Sequence, residues 1–119
     1  MEEKKVDERV VEEIQFMQVV SMFADSVMQH LGKISNPLTK KIERDLDAAK
    51  ATIDILMMLK KRTKGNLNER EERFLADTLS NLQMNYVEEL KKEEEKKEGE
   101  GTEKKEVDEN KKDKVNRGG

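Results

Sequence analysis

The chain has 119 residues, of which 43% are charged, 34% hydrophobic and only 3% aromatic, with one His, one Pro, no Cys and no Trp. Thiol nucleophiles, cysteine metal sites and disulfide scaffolds are excluded, and His30 is left as the sole candidate for imidazole-dependent chemistry. The formal net charge of −3 is too balanced for a dedicated nucleic-acid binder, although residues 33–64 carry 9 basic against 4 acidic groups while residues 1–30 carry 3 against 7.

Residues 1–6 read as a flexible N-terminus. They include Met1, Glu2, Glu3, Lys4 and Lys5 and no apolar leader, so a cytoplasmic location is expected. The first predicted helix covers residues 7–31. One apolar seam along it is Val10, Ile14, Met17, Ser21, Ala24 and Met28, continuing to Leu31, at the three-to-four spacing of a helix face. A second seam, Phe16, Val20, Phe23 and Val27, lies roughly 110° around the helix at 100° per residue. Gly32 is the expected left-handed residue that ends it. The stretch is interrupted by Glu12, Glu13 and Asp25, so no membrane span is predicted, because a span needs roughly 20 mostly apolar residues.

Asn36 and Pro37 mark a connection, because the residue before proline is pushed away from helical geometry. The second helix is predicted over residues 40–62. Its main seam is Ile42, Leu46, Ala49, Ile53 and Leu56, and a second seam is Ala48, Thr52, Ile55 and Leu59. Gly65 is the candidate stop. Asn68 with Glu71 has the spacing of a capping box, and a third helix follows over residues 69–97, carrying Leu75, Leu79, Leu82 and Tyr86. Beyond residue 98 there is too little apolar surface to offset the entropy of ordering, and residues 99–119 read as a disordered Glu/Lys tail.

The expected fold is therefore all-α: a three-helix antiparallel bundle over residues 7–98. It is also expected to be dimeric. A core built from about 80 residues leaves only a few kcal/mol of net stability. A bundle helix needs one apolar stripe a little over 100° wide, and the first helix has two seams. The seam Val10, Ile14, Met17, Ser21, Ala24, Met28 is the candidate self-association surface.

The same residues carry a resemblance. Residues 27–32 (Val27, Met28, Gln29, His30, Leu31, Gly32) form a first block. Asp45, Leu46, Ala49 and the run Thr52, Ile53, Asp54, Ile55, Leu56 with Leu59 form a second. Thr63, Lys64, Gly65, Asn66, Leu67 with Glu69 and Glu71 form a third, and Leu79, Leu82, Tyr86 and Val87 close the pattern. In this order and spacing the chain resembles an uncharacterised bacterial family, the domain of unknown function eighteen forty-four, over about residues 16–90. Two positions depart from the family's habit: Gln83, where Arg is expected, and Arg62, where Lys is usual. The resemblance implies a small helical protein and transfers no catalytic or cofactor residue.

Read for chemistry, the residues give little. His30 at a helix end complements the dipole, and no Glu-x-x-His pair of a di-iron bundle occurs. The acidic neighbours Glu12–Glu13 and Glu71–Glu72 diverge by 100° on a helix and read as chance pairs in an acid-rich chain. Asp54 follows Lys50 by four residues and reads as an exposed ion pair. No catalytic residue, cofactor or metal is expected, and the chain reads as no enzyme. Lys60, Lys61, Arg62 and Lys64 form the strongest basic cluster. They are candidate contacts for an acidic protein surface or for RNA phosphates, with Lys40 and Lys41 assisting. The absence of aromatics between Phe23 and Phe74 removes the stacking platforms of a single-strand binder. The resulting expectation is a self-associating structural or adaptor protein whose partners are itself and a further protein. The alternative is a ribosome- or RNA-associated accessory protein.

Overall fold

The computed structural model describes residues 7–109. They form three helices, α1 Glu8–His30, α2 Leu46–Arg62 and α3 Glu69–Glu109, with no strand among the described residues. The expected all-α class holds. The predicted flexible terminus at residues 1–6 and the last ten positions of the predicted tail lie outside the described residues.

Local chemistry accounts for most of the helix ends. Asp7 caps α1, its carboxylate accepting from the Arg9 N–H at 3.0 Å. The far end of α1 is a Schellman motif. The Gly32 N–H donates to the Gln29 carbonyl at 3.0 Å, the Lys33 N–H donates to the Met28 carbonyl at 2.8 Å, and Gly32 sits at φ +80°. A Cβ on Gly32 would lie 2.6 Å from Arg44 Cγ, so both the backbone angle and the space require glycine there.

Residues 31–45 connect α1 to α2. Leu31 and Arg44 form an isolated antiparallel bridge, and the Asp45 N–H donates to the His30 carbonyl at 2.8 Å. Within the connection, Glu43 accepts from Asn36 Nδ2 at 3.0 Å and from Thr39 Oγ1 at 3.1 Å. Lys40 is held at φ +62°, a conformation no right-handed helix tolerates. The helix predicted from residue 40 therefore starts only at Leu46, where Asp45 Oδ1 accepts from the Ala48 N–H at 3.1 Å. Ile42, expected on the α2 seam, falls in the connection and is exposed.

The turn between α2 and α3 is shorter. Thr63 is the C-cap of α2, so Lys64 is the C′ residue and Gly65, the expected stop, stands one residue beyond it. Gly65 instead occupies the third position of a turn closed by the Asn66 N–H and the Thr63 carbonyl at 2.8 Å, and its φ of +89° is the positive value that a type II turn requires at that position. Asn68 and Glu71 then form a reciprocal cap. The Asn68 N–H donates to Glu71 Oε1 and the Glu71 N–H donates to Asn68 Oδ1, both at 2.8 Å.

Val20, Val27 and Leu31, Ala49, Ile53 and Leu56, and Leu75, Leu79 and Leu82 make one buried cluster. Phe16, Phe23, Phe74 and Tyr86 pack partly against it. The second α1 seam and the main α2 seam from Leu46 onward are thus the core-facing ones. This first unit of the chain ends at Tyr86, and the second begins at Val87. In the second unit α3 runs past the predicted end at residue 97 to Glu109. The Glu and Lys of residues 91–97 are good helix formers, and each glycine at 99 and 101 opposes the helix by only about 1 kcal/mol. Here Glu89 is buried and accepts from Lys92 Nζ at 3.1 Å.

Candidate functional site

The basic cluster sits at the C-terminal end of α2, where Lys60, Lys61 and Arg62 occupy the last turn and complement the helix dipole. Lys60, Lys61, Arg62 and Lys64 are all exposed. Lys40 and Lys41 lie in the connection that precedes α2. The 17 residues of α2 separate the two groups by roughly 25 Å at 1.5 Å per residue, so the fold does not gather the six cations into one patch.

Three of these lysines border a groove between the end of α2 and the first turns of α3. Lys60, Lys61 and Lys64 stand on the α2 side, while Met57, Leu67, Leu75 and Leu79 supply apolar lining. Glu69, Glu72 and Asp77 of α3 also line it, together with Arg73. Arg73 is within 3.6 Å of Glu69, so part of the acidic wall is internally paired. Gln83 reaches across to α2, its Nε2 donating to the Met57 sulfur at 3.3 Å.

The α1 seam proposed for self-association does not share one environment. Val10 is 47% exposed and Ile14 is 52% exposed. Met17 and Ser21 are half-buried, and Ala24 and Met28 lean on the core. Met17 also borders a shallow depression with Arg70, Phe74 and Asp77. Beyond that seam, Val11, Val19 and Met22 are exposed as well, Met22 at 69%. The apolar excess of α1 is therefore concentrated in its N-terminal part and on its outward face.

Of the acidic neighbours, Glu13 and Glu71 make structural contacts. Glu13 accepts from Arg70 Nε at 2.7 Å and from Arg70 Nη2 at 2.8 Å, and also from Asn68 Nδ2 at 3.1 Å. Its side chain is only 13% exposed. The Arg70 guanidinium holds the Glu13 carboxyl below its ordinary value, against the opposing effect of desolvation, and Glu13 in turn raises Arg70. This fork joins the start of α1 to the start of α3 across 57 residues of sequence, a separation no local pattern can signal. Glu71 is the reciprocal cap described above. Lys50 Nζ and Asp54 Oδ2 meet at 3.0 Å on the exposed face of α2, as their spacing predicts.

His30 is the last residue of α1. Its carbonyl serves the connection to α2, and its Nδ1 is buried with no hydrogen-bond partner among the described residues. That nitrogen is closed to a substrate. Among the described residues no three His, Asp or Glu side chains are grouped to hold a metal ion. No helix among them is long and apolar enough to cross a membrane.

Neither a curated protein nor a solved structure matches this chain. A family profile does match, over residues 13–88. That range takes in the core seams, both caps of the α2–α3 turn and the Glu13–Arg70 fork. The profile is that of the Domain of unknown function (DUF1844), and since it covers well over half of the chain, the protein belongs to that family.

Proposed function

We propose that this protein is a non-enzymatic, self-associating interaction module: an up–down–up three-helix bundle that pairs through apolar surface on α1. The observation that carries the reading is the set Val10, Val11, Ile14, Val19 and Met22, all exposed on one helix of a chain this polar. A contiguous apolar surface rimmed by charge marks an interaction site. Helix direction is supported by two end contacts. The His30 carbonyl meets the Asp45 N–H, and Glu13 meets Arg70, so α2 returns along α1 and α3 starts where α1 starts.

A double substitution, Val10→Ser with Ile14→Ser, tests the reading. Sedimentation equilibrium should give a dimer for the wild-type chain and a monomer for the variant, with the same far-UV circular dichroism. A variant that associates like wild type, together with a Val11→Ser, Val19→Ser variant that does the same, would remove α1 as the surface. The second reading, binding of RNA phosphates, draws on the four exposed cations at the end of α2, none of which makes an ion pair among the described residues. It predicts an RNA affinity that falls by orders of magnitude between about 50 and 200 mM salt. Fluorescence anisotropy with a labelled oligoribonucleotide at both salt concentrations reads this directly, and no binding at the lower salt would dispose of it.

A further inference from the structure

We propose that the connection between α1 and α2 is a membrane-contact tip, which rests on an anionic lipid bilayer and places Leu38 among the acyl chains. The inference is independent of the self-association reading. The connection is a hairpin pinned at its base by the Leu31–Arg44 bridge. Near its turn the Asn36 N–H donates to the Lys41 carbonyl at 2.8 Å, and the Lys40 N–H donates to the Asn36 carbonyl at 2.7 Å. Asn36 Oδ1 accepts from the Leu38 N–H at 2.8 Å. With the clamp of Glu43 on Asn36 and Thr39, these bonds fix residues 37–40 as a tip. They also hold Lys40 at positive φ, a conformation unfavourable for a residue with a Cβ. Strain of this kind gathers at functional sites, and what it presents here is Leu38. That side chain is 89% exposed, more than any other large hydrophobic among the described residues. Ile34 and Ile42, on the two arms, are exposed as well, and none of the three packs against the core cluster.

Charge selects the surface that the tip fits. Residues 33–42 include Lys33, Lys40 and Lys41 and no acid. Lys40 and Lys41 are exposed and make no ion pair among the described residues. The acids that follow are engaged: Glu43 accepts from Asn36 and Thr39, and Asp45 caps α2. The acidic start of α1 stands at the far end of that 23-residue helix, about 33 Å away at 1.5 Å per residue. A protruding tip offers no concavity to a small molecule, and this one lacks the Trp, Tyr and Arg that dominate protein hot spots. A bilayer requires neither. It receives an aliphatic side chain at the acyl boundary while neighbouring lysines meet anionic headgroups, and such contact needs no spanning helix.

Vesicle co-sedimentation of the full chain tests the proposal, with phosphatidylglycerol and phosphatidylcholine in equal parts against phosphatidylcholine alone. At low salt the wild type should bind the anionic vesicles about tenfold or more tighter than the neutral ones. Leu38→Ser should weaken that binding about tenfold, by removing the inserted side chain. K40N/K41Q should weaken it by a similar factor, and asparagine tolerates positive φ, so the turn is kept. The chain has no Trp, so Leu38→Trp adds a single reporter at the tip. It should bind at least as tightly as wild type, its emission moving to the blue on anionic vesicles. The substituted side chains are exposed, and circular dichroism of each variant should match wild type. A wild-type chain that leaves anionic vesicles unbound would overturn the proposal and hand the tip to an acidic protein surface. Wild-type affinity retained by Leu38→Ser or by K40N/K41Q would overturn it too. So would a vesicle-bound Leu38→Trp chain whose emission does not move, because the contact would then be electrostatic alone.

Discussion

The two ends of α1 are built from the same residue types and meet opposite fates. At the C-terminal end Val20, Val27 and Leu31 are buried in the common core. At the N-terminal end Val10, Val11 and Ile14 are exposed, and what fastens that end is the polar fork between Glu13 and Arg70. The difference teaches that apolar periodicity marks faces able to be buried, while the partner helices decide which of them are. Where α1 meets α2 and α3 with aliphatic side chains opposite, burial supplies the stability. Where it meets them with a charged fork, the neighbouring valines and isoleucine are left over for another surface.

That contrast can be broken most forcefully in the core. Leu56→Ala removes a fully buried side chain and should destabilise the fold by about 2–5 kcal/mol, a large share of the total for a domain this size. Ile14→Ala, at an exposed position, should leave the melting temperature of the dilute protein nearly unchanged. Urea denaturation of both variants at low protein concentration checks the pair. Gly32→Ala comes next. It forces a Cβ into a left-handed residue and toward Arg44, at a cost of about 1–3 kcal/mol. Gly65→Ala, with open space around its Cβ, should cost only about 1 kcal/mol. Equal losses from the two would contradict the role given to Arg44.

The smallest effect concerns the polar end of α1. Glu13 has a lowered pKa in the folded chain, so its contribution to stability is complete above the unfolded-state value and is lost as pH falls through the lowered folded one. Acidification below the ordinary glutamate value of 4.5 should therefore destabilise the wild type more than Glu13→Gln. Melting temperatures of both proteins between pH 3 and 7 would show it, and parallel curves would mean that the fork is energetically silent.

Much of this organisation is legible in residue order, and the exceptions have physical causes. Gly32, Asn68 with Glu71, and the pair Lys50–Asp54 are readable because each acts on neighbours within four residues. The core-facing seam of α2 is readable because Leu46, Ala49, Ile53 and Leu56 share one period. The start of α2 is not, because nothing local announces that Lys40 adopts a positive φ while Glu43 ties Asn36 and Thr39 into a turn. Of the candidate site, the exposure of Lys60, Lys61, Arg62 and Lys64 follows from their place at a helix end. Their distance from Lys40 and Lys41 follows only once α2 has a length. The Glu13–Arg70 fork and the division of the α1 seam are tertiary facts, set by which side chains the third helix brings opposite the first.

The central claim is that exposed apolar surface on α1 is used between copies of this chain. The most direct test is the mass of the full-length wild-type protein in solution, followed by sedimentation equilibrium through serial dilution. The account predicts twice the chain mass of 13.8 kDa at the upper concentrations, falling toward the single-chain value on dilution. A single-chain mass throughout would contradict it.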